Sequence, residues 1–193
     1  MATAKGKKKA LKKSTKKKTS NGVGKSKKKV VKKKAQKSSS KVSLGSTLPD
    51  LKFTLTGNKE TLLSELRGKK LVLYFYPKDS TPGCTVEGHD FTRLHKKFKS
   101  NNAEVYGVSR DSLASHEKFK AKECYSLDLI SDQKEELCQL FGVIKMKNMY
   151  GKQVRGIERS TFVIDEKGCL EMEWRGVKVE GHAQEVLDYI LGK

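Results

Sequence analysis

Tyr74-Phe75-Tyr76-Pro77-Lys78-Asp79-Ser80-Thr81-Pro82-Gly83-Cys84-Thr85-Val86-Glu87-Gly88 is the stretch around which the remainder of the chain is arranged. The apolar run from Leu71 to Tyr76 has the length and composition of a buried strand. Pro77 ends it, because proline offers no N–H to a central ladder. Lys78 to Gly83 is rich in turn residues. Cys84 falls where a helix should begin, with Pro82 two residues earlier and Glu87 in the first turn. A thiol there faces unpaired backbone N–H groups and the positive end of the helix dipole. Both favour the thiolate, the reactive form of cysteine. The plainer reading is a small buried apolar residue, and the strand–loop–helix setting argues against it.

The spacing Pro77-x-x-x-Thr81-x-x-Cys84 resembles the active-site motif of peroxiredoxins. The fuller wording from Tyr74 to Thr85 is similar to the peroxiredoxin Q, or bacterioferritin comigratory protein, subfamily. A second block, Arg159-Ser160-Thr161-Phe162-Val163-Ile164-Asp165, resembles the family strand that carries an active-site arginine. The likeness spans residues 43–193 and leaves out residues 1–41. It implies a thiol peroxidase that needs no cofactor and no metal. Cys84 would attack the hydroperoxide. Thr81 would orient the thiolate and substrate, Pro77 would shield the sulfur, and Arg159 would supply a fixed cation with a fork of donors. Glu87 could pair with Arg159 or serve only the helix N-terminus; the second role is expected.

The chain departs from the subfamily at one position. Many members carry a second cysteine five residues after the first, and His89 stands there. Cys124 is the next candidate to resolve the oxidised sulfur. It falls about one turn later than the position used by some relatives. Cys138, beside Leu137, Leu140 and Phe141, reads as a buried inert thiol, and nothing marks Cys169 as reactive. The expectation is therefore a one-cysteine enzyme reduced by thioredoxin, glutaredoxin or glutathione. A Cys84–Cys124 disulfide is the alternative. His89 could act as an acid or base, but a surface helix histidine is the commoner case.

Charge divides the chain in two. Of its 42 basic residues, 18 are lysines within residues 1–41, which hold no acidic residue; the other 24 face 22 acids. The expected plan is a disordered Lys-rich tail, 1–41, and one domain, 42–193. Lys7-Lys8-Lys9, Lys27-Lys28-Lys29 and Lys32-Lys33-Lys34 read as nuclear-import or nucleic-acid patches that would hold phosphates without reading bases. A nuclear location, with the cytoplasm as a second compartment, and contact with DNA or chromatin are expected. A transit peptide fits poorly, since the tail lacks arginine and an apolar stripe. Gly24-Lys25-Ser26 imitates the end of a P-loop, but Thr19 stands where the first glycine is needed.

Four cysteines, at 84, 124, 138 and 169, form no C-x-x-C pair. That argues against a zinc site, a dithiol oxidoreductase and a secreted disulfide scaffold. No apolar run approaches the roughly 18 residues of a membrane span, and no secretory h-region is present. The family likeness leans toward a monomer. A nucleic-acid-binding protein carrying an inactive or redox-sensing domain is the competing function.

Along the domain, Leu51–Thr56 alternates like a strand and Gly57-Asn58 is a turn. Thr61 is expected to cap a short helix, and residues 146–155 are expected to form a loop. Helices are expected near 84–99, 112–123, 134–141 and 181–191. Strands are expected near 104–109 and 127–130, with a hairpin over 159–175. Strands alternating with helices imply α/β layers around a mixed sheet. Periodicity leaves thioredoxin-like and flavodoxin-like sheets both open; the family likeness implies the thioredoxin-like fold.

Overall fold

The computed structural model describes residues 42–149 and 151–193. The expectations for residues 1–41, including every tail lysine named above, lie outside the described residues.

Among the described residues a seven-stranded mixed sheet runs in the order β2-β1-β5-β4-β3-β8-β9. Its members are β1 (Lys52–Leu55), β2 (Lys59–Leu62), β3 (Lys70–Phe75), β4 (Ala103–Ser109), β5 (Asp128–Ser131), β8 (Ser160–Ile164) and β9 (Leu170–Arg175). Strands β3, β4 and β5 are parallel, whereas β8 is antiparallel to β3. Four helices accompany them: α1 (Pro82–Ser100), α2 (Leu113–Glu123), α3 (Glu136–Leu140) and α4 (His182–Ile190). The α/β class and thioredoxin-like layering expected of the sequence are what the chain adopts.

From Leu71 to Phe75 β3 is buried and free of charge because both faces of the sheet are covered, as parallel strands require. Leu71, Leu73 and Phe75 point into one core with Phe162, Phe141 and Leu137. Val72, Tyr74 and Tyr76 point into the other, against Phe91, Leu94 and Phe98 of α1 and Val186 and Leu187 of α4. The i, i+3, i+7 spacing of those α1 side chains puts them on one stripe. The sheet thus fixes the C-terminal end of β3, and α1 leaves from it.

Two expectations are corrected. Thr61 does not cap a helix: it lies in β2, pairs with Phe53 across a hairpin, and its hydroxyl donates to Glu65. A 3-10 turn follows at Leu63–Leu66. The chain around 146–155 is not a loop but a hairpin apart from the main sheet, β6 (Ile144–Met149) with β7 (Lys152–Ile157). Its polar sequence hid the strands, because a two-stranded ribbon satisfies its backbone without burying a face. Gly151 supplies the left-handed backbone its turn needs, at φ +76°.

Candidate active site

Thr81 is the N-cap of α1, in extended backbone, and Pro82 takes the first helical position. Proline suits that place, since its missing N–H would be unpaired anyway. Cys84 is therefore the third residue of the helix, a place facing the positive end of the dipole. Its side chain is 2% exposed. The Thr81 hydroxyl donates to the Lys78 carbonyl at 3.1 Å, and the Thr81 carbonyl accepts from Thr85. Pro77 is half-buried at the end of β3, directly after Tyr76, whose N–H donates to Val108.

Arg159 precedes β8, and the pairing of Ser160 with Phe75 brings it to the same end of the sheet as Cys84. Its Nη2 lies 3.3 Å from the Cys84 sulfur. Its Nη1 donates to Glu87 Oε2. The helix makes this possible: Glu87 is three residues after Cys84, on the same face of α1. Glu87 is 1% exposed, so the expectation that it only favours the helix N-terminus is corrected. Burial pushes its carboxyl up to about 7, against the pull of the Arg159 guanidinium. Its second oxygen, Oε1, is buried with no hydrogen-bond partner among the described residues. For Arg159 burial opposes the charge, but Glu87 and Cys84 outweigh it and hold the group above its usual value.

Of the sequence-chosen residues, Cys84 and Arg159 touch, Thr81 opens the same helix, and Pro77 starts the loop. Cys124 is the C-cap of α2, exposed, with a left-handed φ of +54°. Its neighbours reach α1: the Tyr125 hydroxyl donates to the Thr85 carbonyl at 3.0 Å, and Glu123 bonds His89 at 3.1 Å. Cys138 lies in the core on the opposite face of the sheet from Cys84, where burial drives its thiol far up. Cys169 follows the β8–β9 turn, at the other end of the sheet, 3.3 Å from the Thr47 hydroxyl. The engagement of Glu87 with Arg159 was open in the sequence, but the helix-terminus role was the one expected. Its i+3 spacing from Cys84 was the available signal.

Comparison with known proteins agrees with this geometry. Residues 44–172 match the model of the AhpC/TSA family. The chain is 54% identical over 138 residues to a peroxiredoxin Bcp of Xanthomonas campestris pv. campestris, covering 72% of this chain and 86% of that protein. It is 45% identical over 146 residues to the peroxiredoxin Bcp of Bacillus subtilis, covering 76% and 93%. A solved structure of the Xanthomonas campestris bacterioferritin comigratory protein, described for its alkyl peroxide reduction activity, superposes with a TM-score of 0.71. It is 51% identical and covers 74% of this chain and 90% of that one.

Proposed function

The chain belongs to the AhpC/TSA family, as a thiol-dependent peroxidase of the peroxiredoxin type, and on that premise we propose that Cys84 reduces hydrogen peroxide and organic hydroperoxides by a one-cysteine cycle. The observation that carries this is the guanidinium of Arg159 set 3.3 Å from a buried helix-terminal sulfur.

In the first step the Cys84 thiolate attacks one peroxide oxygen. The S–O bond forms as the O–O bond breaks, and the leaving oxygen departs as water or an alcohol once protonated. Arg159 is the permanent cation beside the sulfur, and its forked donors suit the charge that moves onto the leaving oxygen. Thr81 has one hydroxyl proton and gives it to Lys78, so its oxygen meets the peroxide as an acceptor of the peroxide O–H. The alkyl peroxide activity ascribed to the Xanthomonas campestris relative supports including organic hydroperoxides.

In the second step an outside thiol attacks the sulfenic sulfur and expels water. A second thiol then breaks the mixed disulfide and returns Cys84. Thioredoxin, glutaredoxin or glutathione supplies these electrons. His89 at the fifth position, Cys138 in the opposite core and Cys169 at the far end of the sheet support this route. Cys124 is the one thiol on the α1 side, and a Cys84–Cys124 disulfide is the competing route.

Peroxide consumption with dithiothreitol as reductant tests the activity: Cys84→Ser is expected to abolish it, and unchanged turnover would remove the reading. Mass spectrometry after one equivalent of peroxide tests the cycle. One added oxygen on the Cys84 peptide is expected; loss of two hydrogens with linked Cys84 and Cys124 peptides would establish the disulfide route.

The Lys-rich segment 1–41 supports a nuclear location and salt-dependent contact with DNA or chromatin. Deleting it should leave peroxidase activity intact, move the protein out of the nucleus and reduce DNA affinity. DNA binding that persists with the same salt slope would rule the segment out as the contact.

A further inference from the structure

The loop between β3 and α1 is clasped by a buried polar cluster that the peroxidase chemistry above does not use. Asp79 is 6% exposed and His116, on α2, is fully buried. The Asp79 carboxylate accepts from the Tyr76 hydroxyl at 2.8 Å and from the Ser115 hydroxyl at 2.7 Å. His116 Nδ1 lies 3.0 Å from both Asp79 oxygens, and Nε2 lies 3.1 Å from the Ile130 carbonyl. A carbonyl can only accept, so Nε2 carries a proton. Nδ1 also lies 3.3 Å from the Tyr76 hydroxyl, so the ring, the carboxylate and that hydroxyl close one buried contact.

The same residue is gripped by its backbone. The Asp79 N–H donates to Asp111 Oδ2 at 2.9 Å, and that oxygen also takes the Ser109 hydroxyl at 2.8 Å. The other end of that peptide unit is the Lys78 carbonyl, which accepts the Thr81 hydroxyl at 3.1 Å. Between them Ser80 is held in left-handed backbone at φ +57°, a conformation a serine adopts at some cost. One peptide plane therefore joins the α2 cluster to the hydroxyl that opens α1.

We propose that Asp79 and His116 are positioning residues for peroxide attack: by fixing the Lys78–Asp79 peptide they keep the Thr81 proton on the Lys78 carbonyl, so that Thr81 meets the substrate only as an acceptor. Without the clasp the peptide can rotate, the Thr81 proton is released from the Lys78 carbonyl, and the hydroxyl oxygen no longer meets the peroxide as a fixed acceptor. This rests on the peroxidase reading of Cys84 and names two residues outside its contact shell.

The test measures single-turnover oxidation of Cys84 by hydrogen peroxide, together with its alkylation by iodoacetamide followed on the Cys84 peptide. The variants are Asp79→Asn, Thr81→Val, their combination and Ser115→Ala. Asp79→Asn keeps the shape but turns one acceptor into a donor facing donors. It should slow peroxide oxidation by roughly tenfold to a hundredfold, as a misplaced catalytic contact does. Alkylation, which does not use Thr81, should change less than about threefold. The double variant should be no slower than the slower single variant, because both act through one hydroxyl. Losses that multiply, a parallel fall in alkylation, or a wild-type rate in Asp79→Asn would overturn the proposal. If Asp79→Asn does not fold, Ser115→Ala removes one of the two hydroxyl donors to the carboxylate and must show the same coupling to Thr81→Val, or the proposal fails. Peroxide oxidation that survives Cys84→Ser would instead sink the peroxidase reading itself.

Discussion

Arg159 holds two partners at once: Nη2 sits 3.3 Å from the Cys84 sulfur while Nη1 donates to Glu87. A planar fork can do this and a single ammonium cannot. Arg159→Lys keeps the charge but loses the simultaneous contact. We expect it to lower the rate constant for Cys84 oxidation on the order of a hundredfold, as removal of one preorganised donor does elsewhere. Stopped-flow measurement of the first turnover checks this, and a lysine variant within a few-fold of wild type would show that charge alone suffices.

Glu87 makes stability depend on pH. Its folded value is raised to about 7 from an ordinary 4.5, because burial penalises the carboxylate more than Arg159 rewards it. The folded state then holds a proton that the unfolded chain has lost between those values. By linkage, stability falls as pH rises through that window and levels off above it. Glu87→Gln carries no such proton. The wild type should lose stability relative to the glutamine variant between about pH 4.5 and 7, by on the order of a few kcal/mol. Urea unfolding of both proteins at several pH values measures it; a constant difference would mean that Glu87 stays charged throughout.

Much of this site could be read from residue order alone, because the motif is local. Pro77, Thr81 and Cys84 lie on one strand–loop–helix unit whose shape follows from proline, an N-cap and an apolar run. Arg159 came only through its family likeness, since its approach depends on β8 pairing antiparallel to β3. The partnership of Glu87 was legible in spacing but not in sign, because burial decides whether a first-turn acid serves the dipole or a cation. The Asp79–His116 pair was not legible at all. Its members are separated in sequence by α1 and β4, and only the parallel β3–β4 pairing places α2 over the loop. The β6–β7 hairpin escaped because periodicity detects buried faces, and its exposed Met146 and Val154 give no such signal.

At Gly88 the Tyr125 side chain, from the segment after α2, packs directly on the backbone of α1. A methyl group there would fall within 3.0 Å of the Tyr125 ring, whose hydroxyl holds the carbonyl of Thr85, the residue after Cys84. In an exposed helix, alanine would stabilise relative to glycine by up to about 1 kcal/mol. Here overpacking should win, and Gly88→Ala should destabilise by about 1–3 kcal/mol. It should also slow Cys84 oxidation, because Tyr125 must move off the first turn. Thermal unfolding and single-turnover kinetics check the two effects, and a more stable variant would show that Tyr125 swings aside freely.

The three thiols other than Cys84 should separate by reagent access. Cys124 is exposed at the end of α2 and Cys169 is half-buried. Cys138 is fully buried, its thiol raised by desolvation and by the adjacent Asp132. Its backbone N–H also donates to Asp132 at 2.7 Å, so the residue sits in a closed contact rather than beside a channel. Maleimide at neutral pH should therefore mark Cys124 first and Cys169 more slowly. Cys138 should react only through opening of the core, so that its rate falls as stability rises and reports the global unfolding free energy. Adding urea below the transition should speed Cys138 labelling with the slope of global unfolding, while Cys124 labelling stays flat. Rapid labelling of Cys138 in the absence of urea would mean that α3 opens locally, apart from the rest of the fold.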